Sequence, residues 1–141
     1  FKSQKIAKEH YINTLSSMGI TPVVMPFITV WKTNLPDENI TIATSSKYSY
    51  DYTIDWGDGT IDKNVDGSLT HTYSNSGKHT VKISGDFPYI NAEGKNKLRL
   101  ITQWGDIAWK SFSHSFDSCG RLDVNAKDTP DLSAGPDLRY M

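Results

Sequence analysis

The sequence predicts a mainly β protein folded as an antiparallel sandwich, and three observations carry that expectation. Tyr48, Tyr50, Tyr52, Ile54 and Trp56 alternate with Ser49, Asp51, Thr53 and Asp55, the period of a half-buried strand. Shorter runs of the same kind recur along the chain, punctuated by Gly, Asp and Asn, as sandwiches require. The 141 residues are 37% hydrophobic and 11% aromatic, enough to bury a core without disulfide staples or a structural metal.

Taken in order, Gln4 to Met18 has Ile6, Ala7, Tyr11, Leu15 and Met18 at helical spacing, and Gly19 with Pro22 ends the pattern. This predicts a lead-in helix. From Val23 the period changes. Phe27–Lys32 reads as a strand buried mostly on both sides, Leu35–Asn39 as a turn, and Ile40–Thr44 as a second strand. The long alternation from Tyr48 stops at Gly57-Asp58-Gly59, where Asp-Gly supplies the positive backbone angles of a hairpin. Thr60–Lys63 and Leu69–His71 read as strands around an Asp66-Gly67 turn, followed by a strand at His79–Ser84. Tyr89-Ile90 and Leu98–Trp104 are later strands. Beyond them, Ala108–Ser118 predicts a helix with Trp109, Phe112 and Phe116 on one side, and Pro130 stops any helix further on.

The charges balance at 15 basic and 16 acidic, with no basic run to hold nucleic acid. The longest apolar stretch, Val23–Ile28, is too short to span a bilayer. A single cysteine, Cys119, excludes an internal disulfide and any zinc site of several cysteines. His10, His71, His79 and His114 lack the spacing of a local zinc motif. No phosphate loop, dinucleotide fingerprint or serine elbow is present. Phe1 without a signal sequence, and a last stretch without an obvious stop, suggest an internal or processed piece of a longer chain.

Two stretches resemble known families. Tyr52–Thr60, with His71-Thr72-Tyr73 and Gly77–Ile83, resembles the paired motifs of PKD-type (polycystic kidney disease) domains, which are Ig-like sandwiches. Ile54 and His79 depart from the family's usual Trp and Tyr. Trp104–Trp109, then Phe112, Phe116, Cys119 and Leu122, then Asp128–Ser133, resembles the start of BspA-type leucine-rich repeats of bacterial surface proteins. Leu138 follows Phe112, its apparent equivalent, by 26 residues, a solenoid-like period. The resemblances imply a PKD-like sandwich over 23–104 and a first repeat over 105–141, and they leave the helical lead-in over residues 1–22, read from its spacing, unaccounted for.

Candidate sites divide between chemistry and packing. Asp55, Asp58, Asp62 and Asp66 would offer oxygen ligands to calcium, but their spacing is not an EF-hand. Asp-Gly turn chemistry accounts for Asp58 and Asp66 first, so no metal or cofactor is expected. Trp56, Ile54 and Tyr52 suit a sandwich core, while Tyr48 and Tyr50 are candidates for partial exposure. Tyr73 resembles a tyrosine corner. The structural motif is therefore Trp56, Gly57, Asp58, Gly59, His71, Tyr73 and Gly77. The seam between sandwich and repeat is Trp104, Trp109, Phe112, Phe116, Cys119 and Leu122, with Cys119 a buried, inert thiol.

The resemblances imply a non-enzymatic, extracellular module on a bacterial cell surface, which spaces and caps repeats that bind a protein or host surface molecule. No nucleic-acid partner and no membrane insertion are expected. Two alternatives stand beside it. One is a sugar- or collagen-binding module using Tyr48, Tyr50 and Tyr89, and the other is an accessory domain of a secreted hydrolase.

Overall fold

In a computed structural model, which describes residues 24–136 and 138, the described residues form eight strands and no α-helix. These are β1 (Phe27–Thr33), β2 (Glu38–Ile42), β3 (Asp51–Asp55), β4 (Ile61–Val65), β5 (Leu69–Tyr73), β6 (Gly77–Asp86), β7 (Leu98–Gln103) and β8 (Asp123–Val124). Six strands form one sheet in the order β4-β3-β6-β1-β7-β8, and β2 pairs with β5 in a second. The pairs are antiparallel except β7 with β8, which is parallel and makes the large sheet mixed. The helix expected over residues 4–18 lies outside the described residues.

Strand β1 sits near the middle of the large sheet because its sequence suits both faces. Phe27, Thr29, Trp31 and Thr33 point inward and are buried, while Ile28, Val30 and Lys32 are half-buried on the other face. The expectation of burial on both sides therefore holds fully for one face only. Thr29 escapes the cost of an unpaired buried hydroxyl by accepting the Trp31 indole N–H at 2.8 Å. Pro26, which has no N–H to give to a ladder, stands just before the strand.

The β3–β4 hairpin follows from the glycines. The Trp56 amide donates to the Thr60 carbonyl at 3.0 Å, and Gly59 turns the chain at φ +93°, a region that side chains with a Cβ rarely adopt. The next connection is the expected turn between two strands, but the strands do not pair. β4 belongs to the large sheet and β5 to the small one, so Asp66-Gly67 does not close a hairpin. It carries the chain from one sheet to the other. Ser68 holds this crossing by accepting the Thr44 amide at 2.9 Å.

Both sheets feed one core. Ile40, Ile42 and Tyr73 enter from the small sheet, and Phe27, Trp31, Tyr52, Ile54, Val81, Ile83 and Ile101 from the large one. Full burial of each such side chain is worth about 1.5–3 kcal/mol. Phe87 joins edge-on to both Tyr50 and Tyr52. Tyr89-Ile90 contributes Ile90 to this core but forms no strand.

The helix expected at Ala108–Ser118 is absent. That stretch is a chain of tight turns, in which Ser115, Cys119 and Leu122 amides reach back to Phe112, Phe116 and Cys119 carbonyls. The reason is backbone hand. His114 and Ser118 take φ of +57° and +58°, left-handed values that interrupt a right-handed helix. The apolar residues read as one helical face still turn inward, with Trp109 and Phe112 fully buried.

Candidate functional site

The motif residues, scattered between 56 and 79 in sequence, converge at the end of the β3–β4 hairpin. Trp56 is fully buried, and its indole N–H donates to the Asp62 carboxylate at 2.9 Å. The His71 ring stacks on it, with centroids 4.8 Å apart and planes 17° from parallel. His71 Nε2 meets Asp58 Oδ2 at 2.7 Å. Tyr73 donates its hydroxyl to the Trp56 carbonyl at 2.7 Å, a bond spanning 17 residues of chain, where the local tie of a tyrosine corner reaches only a few residues upstream. The opposite side of this group is His79, stacked on Tyr73 at 3.7 Å and bonded through Nε2 to Thr33 Oγ1 at 2.9 Å. Gly77 begins β6 opposite Thr33.

Electrostatics follow from this packing. Partial burial pushes the Asp58 carboxyl up, but the bonds from His71 and Thr60 outweigh it and hold it below the ordinary carboxylate range. Burial lowers His79, which favours its neutral ring. Burial raises Tyr52 and Tyr73, so both phenols stay protonated and act as donors. The arrangement locks two sheets together. Asp58 with His71, Asp62 with Trp56, and His79 with Thr33 bond to one another within the group.

Three of the four carboxylates considered for calcium have a local task. Asp55 accepts the Gly57 amide at 2.9 Å. Asp58 binds His71 and Thr60, and Asp62 binds Trp56. No group of three or more His, Cys, Asp or Glu among the described residues could hold a metal ion. Of the tyrosines considered for exposure, Tyr50 is buried and donates to the Tyr89 carbonyl at 2.7 Å. Tyr48 and Tyr89 remain half-buried, with ring centroids 5.7 Å apart.

The seam residues assemble at the other end of the core. Trp109 stands edge-on to Phe27 at 5.0 Å and to Phe87 at 6.1 Å. Trp104 stacks on Phe27 at 5.9 Å and meets Phe112 and Phe116 edge-on. Cys119 is half-buried, with its thiol pushed up by burial and directed at the Ala92 carbonyl at 2.8 Å. A shallow groove of about 310 Å³ is lined by Ile101, Trp104, Phe116, Cys119, Leu122 and Val124.

Sequence reasoning missed how the chain continues beyond this seam. Leu100 pairs with Asp123, Ile101 with Val124, and Ala108 with Asp131, all in parallel and all 23 residues apart. The Asp128 carboxylate closes the register by accepting the Trp104 and Gly105 amides at 2.9 and 2.8 Å. The 26-residue spacing from Phe112 to Leu138 falls after the last of these pairs. The signal was present as Trp104-Gly105-Asp106 and Asp128-Thr129-Pro130 at nearly the same step, but backbone partners leave no periodic side-chain trace.

No protein-family model, curated protein or solved structure matches the chain.

Proposed function

We propose that the chain is a non-catalytic extracellular module of a bacterial cell-surface protein, a PKD-like sandwich that spaces and caps a BspA-type leucine-rich-repeat solenoid. The observation that carries the reading is the constant 23-residue parallel step at β7–β8 and at Ala108 and Asp131. A solenoid advances by parallel stacking at a fixed period, whereas a closed sandwich has no use for one. Val124, Leu132 and Leu138 are large, exposed apolar residues on this side of the molecule's sequence, as befits coils meant to be followed by more.

The PKD-like half of the reading is supported by the convergence of Trp56, Asp58, His71 and Tyr73. These residues serve each other, which suits a scaffold better than a catalyst. Adhesion or protein recognition would then fall to the repeats. The test is to fuse two consensus repeats of the family after Met141 and follow unfolding. One cooperative transition at a higher temperature than the parent supports the reading. Independent melting of the added repeats removes it.

A further inference from the structure

The outer face of the large sheet carries a charge arrangement that folding does not explain. On β1 and β6 the inward residues are Trp31, Thr33, His79 and Val81, so Lys32 and Lys78 lie on the outer face. The register makes those two lysines direct cross-strand partners. Like charges directly opposite each other destabilise a sheet. Arg99 joins them. It follows the inward Leu98 at the β1–β7 irregularity, is half-exposed, and spends one N–H on the Asn96 carbonyl. No ion pair links Lys32, Lys78 or Arg99 to a carboxylate among the described residues. By contrast, Lys82 on the same face has Asp55 as its cross-strand partner.

Beside the three cations lie Val30 and Leu100, cross-strand partners that are both half-exposed. An apolar strip with three unpaired cations at one end is a surface for an anion with apolar side groups, lying away from Asp123, the β8 partner of Leu100. Sugars are held best on exposed aromatic rings, and the aromatic side chains of β1, β3 and β5 face the core. We propose that the outer face of the six-stranded sheet, at Lys32, Lys78 and Arg99, docks an extended acidic segment of a partner protein, with Val30 and Leu100 receiving its apolar residues. The charge complementarity would supply specificity and speed of encounter more than raw affinity. The proposal does not need the solenoid reading, because Lys32 and Lys78 lie on β1 and β6, outside the β7–β8 step that carries it.

The probe is a fluorescent twelve-residue peptide alternating Glu and Val, titrated into the whole chain at low and at physiological salt. Wild type should bind it, and raising the salt should weaken binding several-fold by screening. The Lys32→Glu/Lys78→Glu variant should lose at least tenfold in affinity. A Lys32→Gln/Lys78→Gln variant, which removes charge without reversing it, should fall between the two. Melting temperatures show that both variants fold: the Gln pair removes the like-charge contact and should melt at or above the parent, while the Glu pair keeps a like-charge contact of opposite sign and should melt close to it. Binding that is unchanged in both variants overturns the proposal. So does binding of heparin, a sulfated glycan, in preference to the peptide, and so does failure of wild type to bind the peptide at low salt.

Discussion

The two ends of this core are built by different means. At the β3–β4 end, Trp56 belongs to an alternating strand, its indole N–H and its carbonyl are both paired, and the His71 ring stacked on it is bonded to Asp58. At the other end, Trp109 belongs to a run of turns, equally buried, with its indole N–H unpartnered among the described residues. The first end derives its order from hydrogen-bonded side chains as well as apolar contact. The second relies on ring packing against Phe27, Phe87 and Phe112. Equal burial therefore does not mean equal specification, because an unpaired buried donor costs about 1–3 kcal/mol where a paired one costs nothing.

The largest expected effect tests the first end. Trp56→Ala should destabilise by about 3–5 kcal/mol in a denaturant melt, since it empties a large site and orphans Asp62. A loss below about 1 kcal/mol would mean that Trp56 lies on the surface. Next comes the joint at the second end. Gly105 has φ +71°, and a Cβ there would run into the Met25 and Pro26 carbonyls. Gly105→Ala should cost more than about 2 kcal/mol, combining backbone strain with a collision. The comparison sharpens against Gly59, where the added Cβ meets open space. Gly59→Ala should cost only the strain, about 1–2 kcal/mol. Equal losses at the two glycines would contradict the close approach at Gly105.

Acid distinguishes the ends more gently. His79 is lowered below its ordinary value of 6.5, so on acidification the unfolded chain takes up its proton first. Stability is full above that value and declines as pH falls through it. Asp58 is lowered below 3.8, so its contribution is present above that pH and is lost on titration through the lower folded value. The signs agree, and stability should fall in two steps on acidification. His79→Phe keeps a ring on Tyr73 and should erase the upper step in a pH series of melts. The smallest effect belongs to the exposed edge. Leu132 is 41% exposed, and Leu132→Ser should change stability by less than about 0.5 kcal/mol in the same melts.

The same contrast explains what was legible in the sequence. Tyr52, Ile54 and Trp56 announced a strand because side-chain alternation is itself the code for a half-buried sheet. Gly59 announced its turn because few other residues tolerate its backbone angle. Ala108–Ser118 misled because turns can repeat an apolar residue every three or four positions just as a helix does. Only the left-handed angles at His114 and Ser118 separate the two, and neither residue type demands them. The sheet change at Asp66-Gly67 was hidden because a turn residue reports a bend and not its destination. At the candidate site, the members were legible but their partners were not. Nothing in one dimension pairs Asp58 with His71 or Tyr73 with His79.

The neighbouring positions of β1 and β7 also have a mechanical meaning. They run antiparallel, and the chain enters at Met25 beside the place where β7 delivers it to Asp106. There the Asp106 amide donates to the Met25 carbonyl at 2.7 Å, and the Met25 amide donates to the Asp106 carboxylate at 3.0 Å. A pull applied at Val24 on one side and at Asp106 on the other acts across this pair of strands. The load falls first on the Met25–Asp106 clasp and then on one ladder bond after another, so the joint opens like a zipper instead of resisting in shear. Under tension it should yield at low force and stepwise from that end, with the β3–β4 hairpin among the last parts to feel the strain.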